Sequence, residues 1–502
     1  MGNIGVINAA GLSSRAFEIL EAGDSALDRA ASVLLAMPET EQLWILGGPG
    51  EESRGEAWRD RGFRTEFRPF WGERDLFTFL AEVSRGFRDL FYLYGDCALA
   101  DPELAGRMYG DHRKYFAQYT FADGYPQGIS PEILDTSILT SLAGLAGEEN
   151  LPVVRDSLFR VISRDINSFD LETILSPRDM RMLRVSLTMD TKRNAVLLRK
   201  ILELGGRGED SILKILEEKP EILRTLPAFA EFQVTNGFLQ SPSYLPAFPG
   251  QTLDPAAMKF LDPDEFRIMA DRFARFAQDG TVNLGFRGEP SLHPEILRLA
   301  GMVLEHPELR VLMETSGLGW KEEHWKELEG LDTERIDWII TLDSQDPGVY
   351  RDLRGPGQEE ALAATEELLR RFPRRVWVQA VRLKETEESL EAFYRYWKGR
   401  TDNVIIQKYD SYCGILPPRK VTDLSPLKRF PCWHLKRDLP VLMDGRVLLC
   451  REELENPRIL GNLLEEEPEA LWQRGEPVYR EQIRGVYPSR CGNCDEYYTF
   501  NY

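Results

Sequence analysis

The sequence predicts an α/β protein of more than one domain. Short apolar segments alternate with helical stretches along most of the 502 residues, which is the pattern of parallel sheets covered by helices. A chain of this length is too long for one hydrophobic core, and its 42% hydrophobic and 29% charged residues are typical of globular proteins. Five of the six cysteines follow residue 412, which predicts a distinct cysteine-rich end.

The charge and cysteine content narrow the class of partner. The net charge of −20 argues against sequence-independent binding to nucleic acid or to an anionic membrane, so we expect a small molecule or another protein as partner. No segment has the apolar length of a membrane span, and the N-terminus lacks a signal-peptide pattern. We therefore expect a cytoplasmic protein, in which clustered cysteines favour a metal over disulfides. The oligomeric state stays open.

The first domain is assigned to residues 1–207, with a helical linker at 208–225. The apolar segments "NIGVIN", "QLWILGG" and "DLFYLYG" predict an open α/β sheet. The loop "AAGLSSR" follows the first strand and Asp96 ends the third, so both are expected at the carboxyl edge of the sheet, where ligands bind.

This loop has the composition of a nucleotide site. Small residues let backbone N–H groups approach phosphate oxygens, and an arginine adds a charged donor. The candidate nucleotide-binding residues are Gly11, Ser13, Ser14 and Arg15, and Asp96 is a candidate ligand for Mg²⁺. The same residues also fit a tight strand-to-helix turn with Asp96 as a helix cap, and both interpretations stay open.

The order of these segments resembles the sugar-nucleotide cytidylyltransferases and related nucleotidyltransferases. "YTFADGYPQGISPEIL" is similar to their substrate segment, and "RVSLTMDTKRNAVLLRKI" is similar to their closing segment. The resemblance implies Asp190 as a second Mg²⁺ ligand beside Asp96. Two departures weaken the expected activity: Asp24 stands near the position of a family lysine, and "DTKRN" replaces the family's "DTPED".

Residues 226–425 predict a partial TIM-like (βα)6 barrel. Six apolar segments alternate with helical stretches: "EFQVTN", "TVNLGF", "LRVLMETS", "IDWIITLD", "RVWVQAV" and "NVIIQKY". One helix start is well marked, with Asp262 as the cap, Pro263 in the first turn, and an apolar face that begins at Phe266. Any site in such a barrel is expected at the carboxyl ends of the strands.

Several strand ends of this domain resemble the radical SAM superfamily. "FRGEPSLHP" is similar to the family's GEP segment, "ETSG" to its TNG, and "TLDSQDPGVYRDLRGPGQ" to a segment after the fourth strand. The resemblance implies that Gly288, Glu289, Pro290 and Thr315 would contact S-adenosylmethionine (SAM). The alternative is that GEP forms a strand-end turn with Glu289 in a polar barrel mouth.

The first barrel loop, "TNGFLQSPSYLP", lacks the family's cluster ligands. Laid on the family's T-N-x-C-x-x-x-C-x-x-C pattern, the cysteine positions fall on Phe238, Pro242 and Leu245. None of these side chains can ligate iron, whereas the family holds a 4Fe–4S cluster on cysteine thiolates. We therefore predict a barrel that has no cluster of its own and no SAM-radical chemistry, and that has lost its strongest anchor for SAM.

Residues 426–502 predict a small β-hairpin plus helix domain with a metal site. "LPVLMDGRVLLC" predicts a hairpin with its turn at Asp444-Gly445, and "ILGNLLEEEPEALW" predicts a helix after it. The hairpin and a distal CxxC would bring four thiolates together, which is a strong metal signal. These candidate ligands are Cys432, Cys450, Cys491 and Cys494. Cys97 and Cys413 are expected to be buried thiols.

This ending resembles the SPASM/twitch domain that follows radical SAM barrels, and the whole arrangement resembles the spiro-SPASM proteins. The resemblance implies one 4Fe–4S cluster on the four cysteines, with zinc as the alternative. Three hypotheses follow: an iron–sulfur protein that binds a ligand or partner or transfers electrons, an active Mg²⁺-dependent nucleotidyltransferase for surface polysaccharide, or a structural zinc pseudoenzyme. Whether the chain is an enzyme stays open.

Overall fold

The computed structural model describes residues 1–20 and 23–499, and it divides the chain into two compact units. The first unit is Met1–Thr225 and the second is Leu226–Tyr502. Within the described residues, no helix combines the length and the apolar character that crossing a membrane requires.

The first unit is built on a seven-stranded mixed sheet with the strand order β3-β2-β1-β4-β6-β5-β7. All neighbours pair in parallel except β6, which is antiparallel to both β4 and β5. The strands are β1 (Asn3–Asn8), β2 (Thr40–Gly47), β3 (Arg64–Phe67), β4 (Asp89–Tyr94), β5 (Tyr119–Asp123), β6 (Glu132–Asp135) and β7 (Leu171–Leu175). The predicted open α/β sheet is therefore present, with the antiparallel β6 as an addition.

Helices cover both faces of this sheet. They are α1 (Ala26–Ala36), α2 (Gly55–Asp60), α3 (Glu73–Val83), α4 (Pro102–Lys114), α5 (Leu139–Leu145), α6 (Ser157–Ile162), α7 (Lys192–Glu203) and α8 (Glu209–Glu218). Alternate strand residues enter different cores, since Val6 packs into one and Ile7 into the other. The predicted linker contains α8, whose Ile212 and Leu216 are buried in the core of this unit.

The second unit contains a nine-stranded sheet with the order β13-β12-β11-β10-β9-β8-β14-β15-β16. Its first seven members in that order are parallel. The strands are β8 (Phe229–Phe232), β9 (Gly280–Asn283), β10 (Leu309–Thr315), β11 (Ile336–Thr341), β12 (Val376–Arg382), β13 (Val404–Lys408), β14 (Asp438–Val441), β15 (Arg446–Leu448) and β16 (Ile459–Asn462). Strands β8–β13 confirm the predicted (βα)6 arrangement.

The helices of the second unit lie between and after these strands. They are α9 (Pro263–Ala277), α10 (Ile296–Leu304), α11 (Glu322–Leu328), α12 (Pro347–Arg354), α13 (Gln358–Arg371), α14 (Glu387–Lys398), α15 (Pro468–Arg474), α16 (Glu476–Ile483) and α17 (Ser489–Asn493). The predicted start of α9 is confirmed, because Asp262 Oδ1 accepts hydrogen bonds from the backbone N–H groups of Asp264 (2.8 Å) and Glu265 (3.2 Å).

The predicted C-terminal hairpin is also confirmed, and it joins the barrel sheet. β14 and β15 pair antiparallel around Gly445, whose φ of +81° suits the turn. β14 also pairs in parallel with β8, so the hairpin extends the barrel sheet from its open edge. The stretch predicted as the start of a helix differs: Ile459–Asn462 pairs with β15 as β16, and the helix begins at Pro468.

Candidate functional site

A cavity of about 460 Å³ opens at the carboxyl ends of the barrel strands. Most of its wall comes from residues near the carboxyl ends of β9 to β13 and from the long loop after β8, and the C-terminal segment contributes Arg451, Glu452 and Glu496. Glu289 and Arg287 belong to the β9 side, and Lys408 and Asp410 belong to the β13 side. This is the position at which barrels of this kind carry their ligands.

The three apolar residues of the first barrel loop all line this cavity. Phe238, Pro242 and Leu245 are lining residues, and the Phe238 ring stacks on the Phe248 ring with 5.9 Å between centroids and 12° between planes. Phe248 in turn meets the Tyr412 ring edge-on at 5.9 Å. This wall offers aromatic and aliphatic carbon where the resemblance expects thiolates, so it does not fit an iron–sulfur cluster.

The GEP segment ties the end of β9 to the end of β10. Glu289 is buried and accepts hydrogen bonds from the Ser316 backbone N–H (2.9 Å), the Ser316 hydroxyl (2.6 Å) and the Thr315 hydroxyl. Burial raises the pKa of Glu289. A Cβ atom at Gly288 would lie 2.1 Å from the Thr235 carbonyl oxygen, so this position requires glycine, and Pro290 opens a 3-10 turn after it. The segment has the contacts of a strand-end turn, and it also lines the cavity.

Arg287 was not selected by sequence reasoning, although it precedes GEP directly. Its φ is +50°, and its guanidinium donates hydrogen bonds to the backbone carbonyls of Arg451 (2.5 Å) and Glu453 (3.2 Å) in the C-terminal segment. Burial lowers the pKa of Arg287. The partners lie 164 and 166 residues away along the chain, so no local pattern reveals the contact.

The fold brings the four predicted metal ligands into one neighbourhood. Cys432 interacts electrostatically with Cys491 and Cys494, and Cys450 interacts with Cys432 and Cys494. Burial raises the pKa values of Cys432, Cys450 and Cys491. Among the cysteines, all of which lie in the described residues, no three sulfur atoms are within 4.8 Å of one another. Thiols are ligands for both iron–sulfur clusters and zinc, so the chemistry of the donor set fits either group.

Cys413 lies beside this group, and its predicted burial is corrected. It is half-buried, and its thiol lies close enough to Cys494 to lower the pKa of the Cys494 thiol. Three successive residues from Tyr412 to Gly414 have φ values of +50°, +58° and +85°, which turn the chain sharply at this point. Cys97, by contrast, is buried in the first unit as predicted.

Two side chains of the C-terminal segment hold the CxxC turn and the residues just after it. The Arg429 guanidinium donates to the carbonyl oxygens of Cys491 and Cys494, the latter at 3.1 Å. The His434 ring contacts Asp438 Oδ2 (2.6 Å) on β14 and the Glu496 carbonyl (3.1 Å). The last described residues are thereby fixed against the hairpin.

A network of charged residues lies beside the cysteine group, where the Glu496 backbone N–H donates to Cys494 Sγ at 3.3 Å. The carboxylates of Asp410, Asp495 and Glu496 lie within 4.8 Å of one another. Lys408 forms ion pairs with Glu496 and Asp495, and Lys420 pairs with Asp495 at 2.6 Å. Asp410, Lys408 and Glu496 all line the cavity, so this ionic network is part of its wall.

In the first unit, the predicted nucleotide loop forms a compact turn after β1. Gly11 has a φ of +68°, and Ser13 Oγ accepts hydrogen bonds from the backbone N–H (3.4 Å) and from Nη1 (3.0 Å) of Arg15. Ser13 thereby caps a 3-10 helix at Ser14–Phe17. These contacts are those of a strand-to-helix turn. The Ser13 hydroxyl and the Arg15 guanidinium bond to each other, so part of their capacity to bind a phosphate is already used.

The two predicted Mg²⁺ ligands lie on either side of an arginine. Asp96 follows β4 and is fully buried, and Asp190 precedes α7. Arg155 Nη2 forms an ion pair with Asp96 Oδ2 and lies 3.9 Å from Asp190 Oδ2. Burial raises the pKa of Asp96, although the positive charge of Arg155 acts to lower it. Although burial opposes it, hydrogen bonds from Thr188 and Asn194 lower the pKa of Asp190.

Two family models match the second unit. Residues 248–396 match the radical SAM superfamily, and residues 432–495 match the SPASM iron–sulfur cluster-binding domain. An uncharacterized protein of Treponema pallidum (strain Nichols) is 36% identical over 359 residues, which are 69% of this chain and 98% of that protein.

Solved structures with similar folds have low identity and low TM-scores. BtrN in complex with AdoMet and 2-DOIA is 17% identical, with a TM-score of 0.36, over 54% of this chain and 94% of that chain. A cytidylyltransferase from Leptospira borgpetersenii serovar Hardjo-bovis is 16% identical, with a TM-score of 0.37, over 44% of this chain and 95% of that chain. The sequence relative and the two domain models, in the order barrel and then SPASM, show that the chain belongs to the radical SAM/SPASM superfamily.

Proposed function

We propose that the second unit is an iron–sulfur protein with one 4Fe–4S cluster at its four C-terminal cysteines, beside a barrel that has lost SAM-radical chemistry. In this proposal the barrel cavity binds a small molecule or a segment of a partner protein, and the cluster exchanges electrons with that ligand. The observation that carries the proposal is the apolar wall formed by Phe238, Pro242 and Leu245, because none of these side chains can hold iron.

The family match supports a cluster over zinc. The four cysteines all lie within residues 432–495, which match the SPASM iron–sulfur cluster-binding domain. Thiolates are the ligands that hold 4Fe–4S clusters in proteins. A single zinc ion on the same four thiolates is the alternative that the metal analysis below tests.

The position of the cysteines supports electron exchange with the cavity. Tyr412, Arg451 and Glu452 line the cavity and are chain neighbours of Cys413 and Cys450. Glu496 also lines it, and its backbone N–H donates to Cys494 Sγ at 3.3 Å. The cysteine group thus lies directly behind one wall of the cavity, so that a ligand in the barrel and a cluster on these cysteines would be close neighbours.

Metal analysis of anaerobically purified protein tests the cluster. We expect about four irons and about four sulfides per chain, with a paramagnetic signal after reduction by dithionite. The variant Cys432→Ala/Cys450→Ala should lose the iron, and Cys97→Ala, in the first unit, should keep it. Zinc at one ion per chain without sulfide would contradict the cluster and favour the structural zinc alternative.

A SAM-cleavage assay tests the barrel separately. Reduced wild-type protein incubated with SAM should yield no 5′-deoxyadenosine, because the cavity wall offers no ligands for a SAM-binding cluster. The same assay on the variant Cys432→Ala/Cys450→Ala excludes a contribution from the C-terminal cluster, because this variant lacks two of its four ligands. Cleavage of SAM by that variant would show that the barrel retains radical chemistry.

A further inference from the structure

In the first unit, an arginine lies between the carboxylate that follows β4 and the carboxylate that precedes α7. We propose that Arg155 is a built-in counter-cation that takes the place of a divalent metal ion between Asp96 and Asp190, so that this site is metal-free and becomes a divalent-cation site when Arg155 is replaced by a neutral side chain. This inference concerns the first unit and is independent of the cluster and the barrel of the second.

The Asp96 carboxylate depends on Arg155 for its charge balance. Asp96 is fully buried, and its Oδ2 forms the ion pair with Arg155 Nη2. Its other oxygen, Oδ1, accepts only a weak hydrogen bond from the Cys97 thiol at 3.8 Å among the contacts of the described residues. An uncompensated carboxylate at this depth would be strongly destabilising, so a cation is required beside it.

The Asp190 carboxylate is positioned with one oxygen towards the same guanidinium. Oδ1 accepts hydrogen bonds from the Thr188 hydroxyl (2.7 Å), the Thr191 backbone N–H (2.9 Å) and Asn194 Nδ2 (2.9 Å). Oδ2 lies 3.9 Å from Arg155 Nη2. The Met189 backbone N–H donates to the Asp96 carbonyl at 3.0 Å, which holds the two aspartate-bearing segments together whether or not the cation is present.

Arg155 is itself fixed in this position. Its guanidinium lies over the Tyr94 ring at 4.8 Å from the centroid, and the Tyr94 hydroxyl donates to the Val154 carbonyl at 2.9 Å. A guanidinium stays charged at every physiological pH, so it neutralises the carboxylates permanently. A metal ion would have to displace this tethered cation, which explains why the geometry favours a metal-free site.

Removal of the guanidinium would leave donors that suit a hard cation. Two carboxylates from rigid segments are the ligand type that Mg²⁺ and Mn²⁺ prefer, with water completing the coordination. Arg155→Met keeps an unbranched side chain of similar reach but removes the charge. We expect this variant to be less stable than wild type until a divalent ion replaces the lost charge.

The test compares full-length wild type and Arg155→Met by Mn²⁺ titration, followed by electron paramagnetic resonance and by thermal melting. Wild type should gain no Mn²⁺ at this site. Arg155→Met should bind one additional Mn²⁺ per chain, and saturating Mn²⁺ should raise its melting temperature by at least about 4 °C. Asp190→Asn in the Arg155→Met background should remove that ion, which separates it from any ion bound by Asp410, Asp495 and Glu496 in the second unit.

Two further variants complete the design. Arg155→Lys keeps a cation and should bind no additional Mn²⁺, whereas Arg155→Gln should behave like Arg155→Met. Mn²⁺ binding by wild type that is lost in Asp190→Asn would overturn the proposal, as would folded neutral variants that gain no ion. Failure of both neutral variants to fold even in Mn²⁺ would also count against it, because the ion is expected to restore the missing charge.

Discussion

Three apolar side chains determine the chemistry available at the barrel mouth. Phe238, Pro242 and Leu245 line the cavity. The Phe238 ring stacks on the Phe248 ring, and neither ring offers an atom that could ligate iron. Such an aromatic pair contributes about 0.5–1.5 kcal/mol beyond its buried area. The wall is therefore a surface of packed aromatic and aliphatic groups.

Gly288 is a position of the barrel mouth that has no room for a larger side chain. An added Cβ would meet the Thr235 carbonyl oxygen at 2.1 Å, and a backbone atom cannot rotate away. We predict that Gly288→Ala lowers the free energy of unfolding by at least about 2 kcal/mol, measured by urea denaturation with tryptophan fluorescence.

Gly301 provides a matched control for this substitution. It lies in α10 of the same unit, and its added Cβ would meet only the flexible Leu331 Cδ2 at 3.4 Å. Gly301→Ala should change stability by less than about 1 kcal/mol, in the stabilising direction, because alanine is the better helix former. Equal losses in the two variants would contradict the steric explanation for Gly288.

At the scale of elements, the C-terminal hairpin is part of the barrel. β14 pairs with β8, and Arg451, just after β15, forms an ion pair with Glu231 of β8 at 2.6 Å. Arg287 adds hydrogen bonds to the carbonyls on both sides of Glu452. The segment that bears the cysteines is thus anchored to the first barrel strand, which explains how the cysteine group comes to lie behind the cavity wall.

Glu231 makes this junction sensitive to pH. It is fully buried, and burial raises its pKa to about 7 in the folded protein despite the opposing charge of Arg451. A folded-state pKa above the unfolded value means that folding favours the protonated carboxyl. This contribution to stability is present in full below about pH 4.5 and is lost as the pH rises through about 7.

The variant Glu231→Gln isolates this effect, because glutamine does not titrate. Between pH 5 and pH 8 the free energy of unfolding of wild type should fall relative to that of the variant by up to about 3 kcal/mol. Urea denaturation of both proteins at the two pH values measures the difference. Parallel pH profiles would show that Glu231 does not titrate in this range.

At the scale of the whole molecule, the cysteine group connects distant parts of the second unit. Cys432 precedes the hairpin, Cys450 follows its second strand, and Cys491 and Cys494 lie close to the end of the chain. Metal groups held in this way stabilise the folded state, because the unfolded chain has no preformed site. The proposed cluster should therefore contribute to the stability of the second unit.

Stripping the cluster provides the corresponding prediction. Protein with the cluster loaded should melt about 5–10 °C above protein from which iron has been removed by an anaerobic chelator, followed by circular dichroism. Cys491→Ser should abolish this difference, and Cys97→Ser should leave it intact. If the melting temperature did not depend on iron, this prediction would be wrong, and protein contacts alone would hold the cysteine-bearing segments together.

The sequence by itself determined the features that depend on local chemistry. The parallel strands β9 to β13 appear as apolar runs, the start of α9 appears as an aspartate before proline, and the hairpin appears as Asp444-Gly445 between apolar runs. The hairpin and the CxxC spacing also marked four cysteines as candidate ligands, and the resemblance to the radical SAM pattern implied the missing ligands of the first barrel loop. Strands such as β3 (Arg64–Phe67) were missed, because they are short and only partly buried.

Only the tertiary structure decided which distant groups meet. The pairing of β14 with β8, the hydrogen bonds of Arg287 to the C-terminal segment and the contact of Cys413 with Cys494 join residues that no local period connects. Arg155 lies 59 residues from Asp96, yet it is the cation that both Asp96 and Asp190 face. Sequence patterns predict secondary structure because residues close in the sequence share a helix turn or a strand face. Charge compensation depends instead on which distant side chains the completed fold brings within a few ångströms of one another.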